Sequence, residues 1–235
     1  MRTTISTRTS STTASPSEPV RRAPDRDCRR CPRLASFREE QRAAHPDWHN
    51  APVPSFGAPD GGLLVVGLAP GLRGANRTGR PFTGDFAGAV LYPALGAEGL
   101  SRGSFEARPD DGLELLDCRV TNAVRCVPPA NKPVGAEVAA CRPFLEDELR
   151  AGTPPQVVLA LGRIAHDAVL RTLGLRLAAF PFGHGARHEL PDGPVLFDTY
   201  HSSRYNVNTG RLTPEMFAAA LGAAAAELRR RATAA

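Results

Sequence analysis

"GLAPGLRGANRTGRPFTGD", residues 67–85, follows directly on the apolar run "LLVV" at 63–66 and holds five glycines in nineteen positions. A short β-branched run that empties into bare backbone reads as a buried strand followed by a turn that something must approach closely. Similar runs bounded by Gly or Pro place strands at 62–68, 115–124, 156–161 and 194–200. Helical spacing fills the gaps at 84–97, 134–151, 162–173 and 214–231. Strands alternating with helices predict an α/β fold: a three-layer α/β/α sandwich on a central, mostly parallel four-stranded sheet. In such sheets ligands bind outside the carboxyl ends of the strands, where residues 69–85 and 201–206 both fall.

The chain has 235 residues, 42% of them hydrophobic, enough for one main domain. No stretch of about 20 strongly apolar residues is present, so the reading has no membrane in it. Residues 1–25 are rich in Ser, Thr and Arg with little to bury, and are read as a disordered tail ahead of a single domain over 26–235. A secretory signal would need an apolar segment that this tail lacks, whereas an Arg- and Ser-rich transit peptide fits its composition. Of the 29 basic residues 28 are arginine, which favours a GC-rich bacterial source over a eukaryotic one. The net charge of +5 is concentrated: residues 1–30 hold seven arginines against three acids, leaving a body close to neutral. Phosphate binding by that body must come from local arrangement of Arg side chains and backbone N–H groups.

Three groups of residues carry chemistry. Cys28 and Cys31 form C-x2-C, Cys126 and Cys141 form C-x14-C, and Cys118 stands alone in a strand pattern. That spacing fits paired zinc knuckles poorly and leaves open unrelated thiols, a metal or an iron–sulfur cluster. In the glycine stretch, Gly67, Gly71 and Gly74 let backbone approach a flat ligand, while Asn76, Arg77, Thr78 and Arg80 offer donors. "TYHSSRYN" at 199–206 puts His201 just beyond an apolar strand, on the same rim as Asn122.

"GLAPG", "GANRTGRPFTGD", "TNAVRCVPPANKP", the four paired cysteines and the closing "TGRLTPEM" together resemble the uracil-DNA glycosylase superfamily, most of all its iron–sulfur-bearing family 5. The resemblance implies a monofunctional DNA N-glycosylase that excises uracil, and other deaminated bases such as hypoxanthine, from double- or single-stranded DNA. It implies a monomer, cytoplasmic and associated with the nucleoid through DNA, carrying a 4Fe-4S cluster on Cys28, Cys31, Cys126 and Cys141. Gly67, Ala69 and Gly71 would wall the base pocket, Phe82 would stack on the base, and Asn122 would read its pairing edge. His201 would stabilise the departing base and Asp85 would serve the attacking water, with a helix N-cap as its plainer role. Asn76, Arg77, Ser202, Ser203, Arg204 and Tyr205 would contact DNA. Two departures stand out: family 5 usually has H-P-S where this chain has His201-Ser202-Ser203, and Tyr205 replaces a smaller polar residue. The rivals are a family 4 or mismatch-specific relative, a non-catalytic iron–sulfur DNA-binding protein, and an unrelated nucleotide-binding α/β enzyme.

Overall fold

The computed structural model describes residues 21–233. In chain order they form α1 (Pro32–Ala44), β1 (Phe56–Gly57), β2 (Leu63–Gly67), α2 (Ala75–Thr78), α3 (Phe86–Ala97), β3 (Ser101–Arg102), β4 (Glu114–Leu115), β5 (Cys118–Asn122), α4 (Gly135–Arg150), β6 (Val157–Leu161), α5 (Arg163–Thr172), β7 (Arg187–Glu189), β8 (Val195–Thr199), α6 (Arg204–Asn208) and α7 (Pro214–Ala232). The four expected strands form the parallel core, in the order β5-β2-β6-β8. Two short antiparallel strands, β1 against β5 and β7 against β8, widen the sheet to six.

Parallel strands covered on both faces must be apolar at every position, not at alternate ones. That is what Leu63–Val66, Val157–Leu161 and Val195–Phe197 supply, all of them buried. Leu63, Val65, Val157, Leu159, Leu161, Val195 and Phe197 join one core beneath α3 and α7. The intervening Leu64, Val66, Val158, Ala160 and Leu196 join a second core with Leu34 of α1 and side chains of α4 and α5. The chain moves from β2 to one side, through β5, and then to the other, through β6. The crevice at the carboxyl end of β2 is therefore the place where connections diverge and a ligand can enter.

Helix α1 carries no periodic signal in the sequence because its inward face consists of only Leu34 and Arg38, too little for an apolar period. The body also begins earlier than residue 26. The Arg22 backbone N–H and guanidinium both donate to Asp147 on α4, and Arg21 donates to the Thr153 carbonyl. Residues 1–20 lie outside the described residues.

Candidate active site and cysteine pocket

The loop after β2, the end of β5 and the loop after β8 close around one cleft. Its lining includes Ala69, Gly71, Phe82, Asp85, Asn122, His201, Ser203 and Arg204, together with Arg73 and Asn131, which the sequence reading had missed. Gly67 lies behind this cleft, where a Cβ would come within 2.4 Å of the Phe82 ring and 2.5 Å of Asn122 Oδ1. A Cβ on Gly74 would lie 2.4 Å from Asp85 Oδ2. The glycines thus make room for the site's own side chains as well as for anything bound there.

Phe82 sits at φ +52°, a conformation that bulky residues rarely adopt. The segment around it is fastened on both sides. The Tyr92 hydroxyl donates to the Pro81 carbonyl at 2.6 Å, and Arg80 Nε donates to Thr83 Oγ1 at 2.8 Å. Arg80 then forks onto both oxygens of buried Asp111 at 2.7 Å, with its guanidinium over the rings of Phe56, Tyr92 and Phe105. That pairing holds the Asp111 carboxyl far below the usual carboxylate range. Arg80, read from the sequence as a ligand donor, is corrected to a strut: a paired guanidinium packed among rings cannot reach the cleft. Thr78 is corrected likewise, since its hydroxyl bonds to the Thr83 carbonyl at 3.0 Å.

Asp85 is the N-cap of α3, its Oδ1 accepting from the Gly88 N–H at 3.3 Å. Burial raises its pKa above the ordinary value, against the two backbone N–H groups that favour the anion. His201, whose ring centroid is 6.2 Å from that of Phe82, is held by Asn206 donating to its carbonyl at 2.8 Å. Burial pushes the imidazole down to about 4, so the ring is neutral at pH 7. Asn122 ends β5 at 3% exposure, and its Oδ1 is buried with no hydrogen-bond partner among the described residues. A carbonyl left in that state carries the full desolvation cost unless a ligand supplies a donor.

The DNA-contacting set divides. Ser203 and Arg204 line the cleft, with Ser203 also capping α6 through the Asn206 N–H, and Tyr205 is 72% exposed. Asn76 and Ser202 are corrected. Asn76 is 1% exposed and its Nδ2 donates to Asn50 Oδ1 at 2.9 Å, while Ser202 is fully buried with its hydroxyl toward the Ala87 carbonyl. Both hold loops together from inside. Arg77 lines a different cleft, beside Trp48, while its Nη2 lies 3.0 Å from where a Cβ on Gly84, at the edge of the base cleft, would sit.

The four paired cysteines meet elsewhere. Cys28, Cys31, Cys126 and Cys141 line one pocket walled by Leu34, Ala35, Val124, Ala140 and Phe144, while Cys118 is buried within the sheet. Burial pushes the Cys31 thiol up to about 11 and the Cys126 thiol up to about 12, and raises Cys141 as well. Arg38, at 1% exposure, donates to Cys126 Sγ at 3.5 Å and to the Cys28 carbonyl at 3.0 Å. No carboxylate pairs with it among the described residues, and its Nε has no partner. The Arg125 N–H donates to Cys141 Sγ at 3.3 Å. A buried cation among thiols and amide donors is a setting that calls for negative charge on sulfur.

A second buried cluster had no sequence signal. Asp198 of β8 receives His166 Nδ1 at 2.8 Å and His188 Nε2 at 3.2 Å, while His166 Nε2 faces the Phe180 carbonyl at 2.9 Å. These bonds pin residues 180–188 to the sheet. No described helix is long and apolar enough to cross a membrane.

Comparison with known proteins agrees with this geometry. Residues 54–225 match the family model described as "Uracil DNA glycosylase superfamily". The type-5 uracil-DNA glycosylase of Thermus thermophilus is 52% identical over 196 residues, covering 81% of this chain and 89% of that protein. Its counterpart in Pyrobaculum aerophilum is 42% identical, covering 86% and 89%. A type-4 uracil-DNA glycosylase of Pyrobaculum aerophilum is 34% identical over 64% of this chain and 63% of its own length. With its glycine-walled cleft, its cysteine pocket and these relatives, the chain belongs to the uracil-DNA glycosylase superfamily, on the type-5 branch.

Proposed function

We propose that this protein is a monofunctional DNA N-glycosylase that takes a uracil out of the helix into the cleft and hydrolyses its N-glycosidic bond, leaving an abasic site. The observation that carries the reading is the convergence on one cleft of Asn122, with no side-chain hydrogen bond of its own among the described residues, and of Phe82, His201 and Asp85. A base cannot be processed within the stack, so it must be held by a ring face and by hydrogen bonds to its pairing edge. Phe82 supplies the face, and Asn122 Oδ1 accepts from the N–H on the pairing edge.

As the C1′–N bond breaks, its electron pair moves into the base and charge gathers on the base oxygen. Neutral His201 donates to that oxygen, a fixed donor in a water-poor site and the expected main source of rate. A water oxygen then bonds to C1′ and its proton passes to Asp85 Oδ2, which the helix cap leaves free while Oδ1 stays engaged. Ala69, Gly71, Ser203, Arg204 and Tyr205 form the surround through which the strand is gripped. Hypoxanthine and other deaminated bases fall within the same proposal, because the stacking face is indifferent to base identity.

The residues of the cysteine pocket fit a 4Fe-4S cluster, and Cys28, Cys31, Cys126 and Cys141 would hold it. Bound there, it would supply a cross-link between residues 28–31, the loop after β5 and α4, with Arg38 balancing its negative charge.

Single-turnover assays on duplexes carrying one uracil, one hypoxanthine or no lesion test the activity. Alkali-labile abasic sites are expected with the first two. Absence of cleavage at uracil by folded protein overturns the proposal.

A further inference from the structure

We propose a second nucleic-acid site on the outer side of α2: a cleft in which Arg26, Arg77 and Arg108 grip the phosphodiester backbone of a single strand, with Trp48 as a stacking surface. The cleft is lined by these residues with His49, Thr78 and one acid, Asp47. Guanidinium groups along a groove beside an aromatic ring are what a single strand requires of a surface, whatever its sequence. The Arg26 and Arg77 side chains have no carboxylate partner among the described residues, whereas Arg108 is paired on exposed surface with Glu106 at 2.9 Å and, more loosely, with Asp110 at 3.9 Å. Trp48 stacks on His45, ring centroids 3.8 Å apart, which fixes the indole in place.

The walls are braced from within. Arg42 donates to the carbonyls of Arg26 at 3.0 Å and Asn50 at 2.9 Å, tying the first wall to the Trp48 segment. The His49 N–H donates to the Arg77 carbonyl and the Asn50 N–H to the Asn76 carbonyl, both at 3.0 Å. The buried Asn76–Asn50 pair completes the tie. A cleft whose cations stand on fastened backbone loses less freedom on binding than loose surface arginines would.

The position deepens the glycosylase reading and rests on it for its role. Ala75 of α2 lines the base cleft and Arg77, two residues on, lines this one, with its Nη2 beside Gly84 at the base cleft's edge. A helix is about 10 Å across. A strand leaving the base cleft over α2 therefore arrives here within a few nucleotides, and the cleft would hold the strand while a base is out of the helix.

Trp48 is the only tryptophan in the chain, so intrinsic fluorescence reports on this cleft directly. Titration with undamaged single-stranded oligothymidylate, its binding followed in parallel by anisotropy, is expected to change Trp48 emission saturably. In an Arg26→Glu/Arg77→Glu double variant, checked by melting, affinity is expected to fall tenfold or more. The slope of log affinity against log salt should also become shallower by about 1.4, two phosphate contacts at roughly 0.7 each. Oligothymidylate that binds by anisotropy with no change in Trp48 emission overturns the proposal. So does an unaltered salt slope in the double variant, or an equal response to polyglutamate, which would make the cleft a site for acidic protein. Trp48 response without uracil excision would sink the glycosylase reading and spare the cleft, and excision without response does the reverse.

Discussion

The base cleft and the cysteine pocket are both gathered from distant parts of the chain, and both use the loop that follows β5. They leave opposite things unsatisfied. The cleft holds a neutral histidine, a carboxylate whose pKa is raised and a carbonyl oxygen with no donor, all arranged around open space. The pocket holds a buried guanidinium with no carboxylate, facing thiols that burial keeps protonated. A site that lacks a donor waits for a transient ligand, while a site that lacks an anion waits for a permanent one. From this follows a division of labour: changes in the cleft should cost rate and spare stability, and changes in the pocket should do the reverse.

The hardest test of that division is Asp85→Asn. Asparagine still caps α3, and it removes an ionised group that burial disfavours. Excision should slow by roughly 10²- to 10⁴-fold, while the melting temperature stays level or rises. Single-turnover kinetics beside thermal melting decide it, and parental rates would reduce Asp85 to a cap. The acid limb of the parental rate profile should lie above the ordinary aspartate range and vanish in this variant.

His201→Ala should slow excision by roughly 10²- to 10³-fold, one lost oxyanion donor, with damaged-duplex affinity nearly unchanged. The same residue has a stability signature. Its folded pKa, about 4, lies below its ordinary 6.5, so its contribution is present above pH 6.5 and is lost as pH falls toward 4. Melting across pH 4 to 7 should show a shallower decline in His201→Ala than in the parent.

The pocket should answer in the other currency of measurement. Cys141→Ser and Arg38→Met are each expected to lower iron content. If the lost cross-link is worth about 3 kcal/mol, at ~2–4 °C per kcal/mol for a chain this long, Tm should drop by roughly 10 °C. Folded protein at low temperature should retain its rate within about tenfold. Cys118→Ser should keep its iron. Iron lost from Cys118→Ser but not from Cys126→Ser would overturn the ligand assignment.

The smallest effect belongs to the N-terminus. Deleting residues 1–20 removes two arginines and one acid, whereas the arginines at 21, 22, 26, 29 and 30 remain. The salt slope for non-specific DNA should change by less than one phosphate contact. A larger change would assign the tail a share of the grip.

The sequence alone was enough for the four parallel strands, because strands buried on both faces are written as unbroken apolar runs between Gly and Pro. It was enough, too, for the helices α3, α4, α5 and α7 and for the cleft residues Phe82, Asp85, Asn122 and His201, which sit in recognisable blocks. It could not show β1 and β7, which are two and three residues long and draw their pairing from a neighbour, or α1, whose buried face is one leucine and one arginine. Nor could it separate Asn76 from Asn122, or Arg80 from Arg77. Asn76 and Arg80 are tied into the interior through Asn50 and Asp111, while Asn122 lines the base cleft and Arg77 a surface cleft. Strand and helix periods are local and survive in the order of residues. Whether a polar group finds its partner depends on what lies across the fold from it, and only the tertiary structure decides that.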